Sequence, residues 1–243
     1  MILLYDDLVK TGSLTPSSEA SGYPAANVQH PHLSRKWHTD TDSGEYVVVD
    51  FGAAVTVDAA AMAGHNLTDA GVARIEANSS DSWAAPPFSR SLDPARDPSF
   101  VTFPQQSYQF WRFYFDDGSN PDTYIAIGRL FLCVHWASVE PIDAAFNRTL
   151  EDTTRITESI TGQAFVDLGV KSRTISLSLG FVSDADRQTL EAAVSVIGQH
   201  DPVIVHAHDK VEPLYARLVK LPTFSQVGAL NWRDGTLQFK EAF

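Results

Sequence analysis

Residues 17–52 read SSEASGYPAANVQHPHLSRKWHTDTDSGEYVVVDFG. Ser17, Ser18 and Glu19 open the stretch, Tyr23-Pro24-Ala25-Ala26-Asn27 turns the chain, and a polar loop runs on to Trp37. Proline presets φ and asparagine tolerates turn backbone, so the first half reads as loop. Glu45-Tyr46-Val47-Val48-Val49-Asp50-Phe51 then gathers β-branched and aromatic residues before Gly52. Val47, Val48 and Val49 do not alternate with polar residues, which predicts a strand buried on both faces.

The same grammar continues outward. Ile2-Leu3-Leu4-Tyr5 suggests a short strand that could belong to either half of the chain. Thr56–Met62 is apolar and runs into the loop signal Gly64-His65-Asn66, and Arg74–Ala77 is a further short strand. Ala84–Pro104, rich in Pro, Asp and Ser, reads as a long surface loop. Gln109-Phe110-Trp111-Arg112-Phe113-Tyr114-Phe115 carries five aromatics in seven residues and is strongly β. Tyr124–Val134 closes the region as its last strand. Short strands between turn-rich loops, without a helical period, argue for a β-sandwich.

The second half has a different pattern. Arg155–Ile160 and Gln163–Leu168 flank Thr161-Gly162 as a hairpin. Thr174–Phe181 alternates polar and apolar residues, as a half-buried strand does. Ser183 then caps a helix with Asp186 three residues on. Leu190, Ala193, Val194 and Ile197 mark its apolar face over about 184–197, and Gly198 ends it. Strands at Pro202–His206 and Leu214–Leu221 follow, then a pair, Thr223–Leu230 and Thr236–Ala242, around Asp234-Gly235. The expected organisation is residues 1–140 and 141–243, divided near Ser138–Ile142, where Pro141 interrupts the pattern.

The 243 residues carry a net charge of −12. Residues 1–140 contribute −9 (8 Lys/Arg against 17 Asp/Glu) and the remainder −3 (10 against 13). An acidic surface repels phosphate backbones, so no specific nucleic-acid binding is expected. Cys133 is the only cysteine, which excludes an intrachain disulfide. The start Met-Ile-Leu-Leu-Tyr-Asp-Asp lacks a basic region, so no signal peptide is expected, and no apolar run is long enough to insert in a membrane. No nucleophile elbow, dinucleotide fingerprint, phosphate loop or zinc-protease motif occurs, and the chain is not expected to be an enzyme. Cys133 lies in the apolar run Leu130-Phe131-Leu132-Cys133-Val134 and reads as a buried thiol. His206 and His208, beside Asp209, share a strand face but have no third ligand at a useful spacing, and His30, His32 and His38 share one loop. No metal or other cofactor is expected.

Residues 12–135 resemble the discoidin-like, or galactose-binding-like, β-sandwich (a jelly roll). The resemblance rests on residues 17–52, on Ala77–Trp83, and on the pairing of Phe110-Trp111-Arg112-Phe113 with Ile125–Leu132. It implies that Trp37 and Trp111 are core residues. Members of this family often hold calcium with an acid in the loop before the core tryptophan and a glutamate on the last strand. Here those positions read Val28–Ser34 and Ile125-Ala126-Ile127, without either acid, so no calcium is expected there. Carbohydrate binding, the family's common task, would fall to exposed aromatic and polar loop residues: Trp83 first, then Arg35, His38 and His65.

The order of hairpin, alternating strand, helix, strand and hairpin in residues 141–243 resembles the tail-tube fold of long-tailed bacteriophages and their distal tail (Dit-like) proteins. The matching features are Gly162, Arg173–Phe181, Asp184–Ile197, Pro202–Val205 and Leu214-Tyr215-Ala216-Arg217-Leu218. The combined resemblance implies a mainly β protein, a discoidin-like sandwich followed by a tail-tube-like domain with one helix. It further implies a structural subunit of a siphophage or prophage tail tip or baseplate, assembled in the host cytoplasm and carried in the virion. Its partners would be copies of itself in a ring, with a hexamer expected, and the tail tube and hub proteins. The alternative is an adhesin that recognises host-surface glycans.

Overall fold

The computed structural model describes residues 1–138, 146–178, 182–208, 211–227, 231–234 and 237–243. Among the described residues it is mainly β, with antiparallel sheets and one α-helix. The chain divides into two compact units that are not consecutive in sequence. One comprises Met1–Ala137, Pro202–Tyr215 and Phe243, and the other Ser138–Asp201 and Ala216–Ala242.

In the first unit, β1 (Ile2–Leu4), β2 (Ser13–Pro16) and β3 (Trp37–His38) are short. β4 (Glu45–Ala63) is long, β5 (Val72–Asn78) and β6 (Phe88–Leu92) follow, and β7 (Ser99–Asp116) is long again. β8 (Ala126–Ile127), β9 (Arg129–Cys133) and β10 (Trp136–Ala137) complete the run. β4 and β7 pair antiparallel throughout, with register breaks between Asp50 and Val55 and between Val57 and Ala59. Gly52 sits at the first break with φ +70°, a backbone that costs an L-residue roughly 1–2 kcal/mol. Its N–H donates to Asp50 Oδ1 at 2.7 Å.

The break lets each long strand serve two layers. Glu45–Asp50 lies between β2 and the Phe110–Asp116 end of β7, with β5 and β6 beyond. Ala59–Ala63 lies beside β9 and pairs in part with the Ser99–Thr102 end of β7. Alternation sends Val47, Val49, Ile75, Trp111, Phe113 and Phe115 inward, where they meet Met62, Leu130 and Leu132 in one core. Val48, on the other face, is buried too, opposite Arg112, so the three valines are covered on both sides. Trp37 and Trp111 are fully buried.

Four expectations are corrected. Phe110–Phe113 does not pair with residues 125–132; it lies between β4 and β5, while β8 and β9 pair with β3 and β4. Thr223–Leu230 and Thr236–Ala242 are not a pair: Phe224–Val227 pairs with Asn231–Asp234, and Leu237–Glu241 with Lys171–Leu177 and Leu214–Lys220. Residues 84–104 are not one surface loop, because they hold β6 and the start of β7, with Phe88, Leu92 and Phe103 buried. β6 is an edge strand, and its exposed Arg90 and Ser91 gave the segment a loop-like polarity. Residues 124–134 are not one strand either. Gly128 divides β8, which pairs with β3, from β9, which pairs with β4. A Cβ at Gly128 would lie 2.9 Å from the Leu33 carbonyl oxygen, so glycine permits the close crossing. The open question of Ile2–Leu4 is resolved within the first unit, where β1 pairs with β10 and with β16 (Val203–His206).

The second unit contains β11 (Phe146–Asp152), β12 (Arg155–Glu158), β13 (Ala164–Asp167), β14 (Lys171–Leu177) and β15 (Val182–Ser183). After α1 (Asp184–Ile197), β17 (Leu214–Lys220) enters it from the first unit, followed by β18 (Phe224–Val227), β19 (Asn231–Asp234) and β20 (Leu237–Glu241). β17, β20, β14 and β11 form a sheet in that order. The helix is capped as its sequence predicts: Ser183 Oγ accepts from Asp186 N at 3.0 Å, and Gly198 N donates to Val194 O. Leu190, Ala193 and Ile197 are buried. β12 and β13 pair only with each other among the described residues, with Gly162 in the turn at φ +81°. The expected linker at 139–142, the strand end 179–181, Asp209, residues 228–230 and the turn at 235–236 lie outside the described residues.

A buried ion pair ties the N-terminal segment to the first unit's core. Asp7 Oδ1 accepts from the backbone N–H of Val9 (2.9 Å) and Leu132 (3.2 Å), while Oδ2 accepts from Arg129 Nη2 at 2.6 Å. Both side chains are 1% exposed. Burial pushes the Asp7 carboxyl up to about 6 from 3.8, outweighing the downward pull of Arg129 and the two N–H groups. The folded value exceeds the unfolded one, so stability from this group is full below pH 3.8 and declines as the pH rises through about 6. Asp7→Ala strands the guanidinium in the core and is expected to lower the unfolding free energy by about 3–5 kcal/mol at neutral pH, read from urea midpoints. Pairing Asp7→Leu with Arg129→Met is expected to recover most of that loss.

Candidate functional site

Three rings stack at the surface of the first unit. Tyr23 lies on His38 with centroids 3.8 Å apart and planes 3° from parallel, and His38 lies on Tyr124 at 4.8 Å and 18°. Tyr23 is 44% exposed, while His38 and Tyr124 are half-buried.

Each ring is held by a different piece of the fold. β3 pairs with β8, so alternation buries Trp37 and turns His38 to the opposite side. Trp37 Nε1 donates to Ser18 O at 2.9 Å, fixing the preceding loop to the same strand. The turn bearing Tyr23 is hydrogen-bonded to both sides of His38: Ala20 N donates to His38 O (2.9 Å) and His38 N to Tyr23 O (3.2 Å). Below it, the buried Glu45 carboxylate accepts from Ser17 Oγ, Ser18 Oγ and Thr41 Oγ1, locking residues 17–18 to residue 41.

Tyr124 is set by the loop after β7. Buried Asp117 accepts from Thr68 N and Thr68 Oγ1, both at 2.7 Å, and from Asn120 Nδ2 at 3.1 Å. Asn120 also donates to Asn66 O and accepts from Asp122 N, each at 3.0 Å. Asn66 Nδ2 donates to Asp122 Oδ2 and Tyr124 O, both at 3.0 Å, while its Oδ1 accepts from Ala126 N at 2.8 Å. This network holds Thr123 at φ +60°, a strained conformation for a β-branched residue, immediately before Tyr124.

The arrangement offers a fixed aromatic face on Tyr23, with the Asp122 carboxylate tied through Asn66 to the Tyr124 end of the stack. Burial and the nearby Lys36 ammonium hold the His38 imidazole below its ordinary value, against the opposing pull of Asp122. His38 therefore enters the stack as a neutral ring at neutral pH.

Of the four residues singled out from sequence, His38 alone lies in the stack. Trp83 belongs to another cluster, on the outer face of the sheet. Arg112 covers its ring at 4.6 Å, its Nε1 donates to Asp81 at 2.6 Å, and Arg112 is held in turn by Glu76 through Nε at 2.8 Å. Arg112 also faces the rings of Tyr46 and Tyr114 at 5.4 and 5.6 Å. His65 Nε2 is 2.8 Å from Arg96 O. Arg35 is exposed on the loop before β3. His30 and His32 pack edge-tilted at 5.1 Å, and His206 faces Phe100 at 5.2 Å. Among the described residues, no three His, Cys, Asp or Glu side chains gather as metal ligands. Tyr23 and Tyr124 were not singled out. Their only sequence signal is that each is an isolated aromatic in a polar turn.

No family model matches the chain, and neither does any curated protein. Several solved structures are similar to about half of it. The CBM32 of AlyQ in complex with 4,5-unsaturated mannuronic acid is 21% identical over 53% of this chain and 96% of that one, with a TM-score of 0.41. The family 32 CBM from C. perfringens NanJ in complex with galactose is 14% identical over 56% and 100%, at 0.43. The lectin domain of lectinolysin complexed with Lewis B antigen is 12% identical over 54% and 99%, at 0.44.

The stack makes a titration prediction. By proton NMR, His38 is expected to titrate below a free histidine. Lys36→Ala should raise its midpoint and Asp122→Asn lower it further, following the charges that face it.

Proposed function

We propose that this chain binds carbohydrate, using the Tyr23–His38–Tyr124 stack as its platform. The supporting observation is a tyrosine ring, 44% exposed, whose orientation is set by a parallel ring beneath it and by backbone hydrogen bonds on both sides of that ring. The C–H face of a pyranose packs on such a ring, and a ring already held in place loses little rotamer entropy on binding. Trp83 is a poorer platform because a guanidinium occupies one of its faces. The work of the site is recognition. The one thiol, Cys133, is buried and pushed well above its ordinary value, the opposite of an activated nucleophile. In a glycan array followed by calorimetry, Tyr23→Ala is expected to weaken a specific signal at least tenfold, while Trp83→Ala leaves it within about twofold. Equal binding by wild type and Tyr23→Ala would overturn the reading.

A second reading, a ring-forming structural subunit of a phage tail tip, draws support from the β12–β13 hairpin. Both strands are exposed along their whole length, and Ile156, Ile160, Phe165, Val166 and Leu168 all face solvent at 56% or more. A lone two-stranded ribbon is marginal in water, and an apolar ribbon of this kind gains most by packing on another chain. In this reading the partners are further copies, then tail tube and hub proteins, and the location is the virion. Native mass spectrometry should give a closed oligomer, a hexamer in a phage ring, that Phe165→Asp with Ile156→Asp converts to monomer. A strictly monomeric wild type at high concentration removes this reading.

A further inference from the structure

We propose that this chain pairs with a second copy of itself along β11, antiparallel about a two-fold axis at Leu150. The inference rests on neither function proposed above, since it uses β11 alone.

β11 is the last strand of the second unit's sheet. It pairs with β14 on one side, and among the described residues no strand lies on the other. Every second residue of such a strand turns its N–H and C=O away from the sheet, and a row of these groups is a template for another strand. Edges are protected by shortness, proline, a bulge or charge that a new strand cannot compensate. β11 reads FNRTLED, has no proline, and keeps an unbroken register with β14 over its seven residues. Asn147, Arg148, Thr149, Leu150 and Asp152 are exposed, Leu150 at 68%. Its charges are the remaining obstacle, and their pattern decides what can pair.

That pattern is self-complementary in one register. Directly opposed residues of an antiparallel pair share a face, so a two-fold axis in this edge passes through a residue and sets it against itself. An axis at Arg148 opposes two arginines, and one at Glu151 or Asp152 opposes two acids, all destabilising. An axis at Phe146 or Asn147 leaves most of the strand unpaired. An axis at Thr149 sets Arg148 against Leu150. The axis at Leu150 sets the exposed leucines together, Thr149 against Glu151, and Arg148 against Asp152 on both sides. Such an isologous contact closes at two copies.

The other charged groups nearby agree with this register. Across β14, Asp152 is opposite Lys171, Leu150 opposite Arg173, and Arg148 opposite Ile175. Arg173 Nε donates to Glu241 at 2.9 Å. On the other face, Glu151 accepts from Lys240 at 2.6 Å and Thr174 at 3.1 Å, so it does not compete for Arg148. In the pair, Asp152 lies between Lys171 of its own chain and Arg148 of the second copy, an alternation of sign across the new sheet.

Sedimentation at low salt and rising protein concentration should show reversible self-association that weakens as salt is added. Arg148→Asp should weaken it at least tenfold, and so should Asp152→Arg. Mixing these two single variants should restore association, because each aspartate then meets an arginine across the axis; recovery also shows that both variants fold. Leu150→Cys should give a disulfide-linked dimer on mild oxidation. Thr149→Cys, self-opposed in the competing register, should not, and the buried Cys133 does not interfere. A wild type that stays monomeric at every concentration overturns the inference, as does cross-linking through residue 149 in place of 150. Association that both charge variants leave unchanged also overturns it, and leaves the ring reading standing if Phe165→Asp with Ile156→Asp abolishes that association.

Discussion

The antiparallel pairing of Glu45–Ala63 with Ser99–Asp116 is the constraint on which the first unit depends. Two strands of this length could form one flat ribbon, but the register breaks after Asp50 and Val57 let each contribute to both layers. Asp50 fixes the bend, since its Oδ1 accepts from Gly52 N at 2.7 Å and from Gln109 Nε2 at 2.9 Å across the pair. These two bonds also hold the Asp50 carboxyl below its usual range. Once the bend is made, the inward residues of both layers face one another and the aromatic run at 110–115 becomes core. Everything at the surface then hangs from strand ends whose positions this pair dictates.

The candidate site is a consequence of that economy. His38 is turned outward because Trp37 is turned inward, and Tyr124 is displayed because Ile125 behind it is buried. The polar residues are organised in the same way. Glu45 and Asp117 are buried acids at the same end of the β4–β7 pair, Glu45 opposite Phe115 and Asp117 just past Asp116; Glu45 accepts from loop hydroxyls, and Asp117 from a hydroxyl and an N–H of Thr68. A buried carboxylate left unpaired would be costly, so each loop is stabilised by the group that would otherwise destabilise the core. That rigidity matters for a weak-binding site, where the entropy of ordering loops can equal the whole interaction energy.

How much was legible in the sequence varied with the kind of signal. The valine run, the aromatic run, the helix with its Ser183 cap and Gly198 stop, and the 155–167 hairpin were all readable, because local periodicity and turn chemistry decide them. β6 was not, since an edge strand needs only Phe88 and Leu92 inward and leaves its middle polar. The division of 124–134 at Gly128 was hidden because it arises from contact with Leu33, far away in sequence. The same reason explains the site. His38 drew notice as a histidine in a loop, but its partners come from residues 23 and 124, and only the β3–β8 pairing brings those turns together. Trp83 looked exposed because the residues before it are polar, and the Arg112 that covers it is 29 positions away on another strand.

The two surface features that stand out, a small ring platform on one unit and an apolar hairpin on the other, make more physical sense jointly than apart. A single stacked sugar with one or two polar contacts gives weak binding, because little area is buried and the ligand still loses its translational freedom. A weak site becomes useful when several copies are displayed on one particle, for then each later contact is made at high effective concentration. If the exposed apolar β12–β13 hairpin packs on another copy, as the second reading proposes, it would bring such copies together. The two proposed readings would therefore be compatible with each other, and the low affinity expected of a single platform is what an assembled array would turn to advantage.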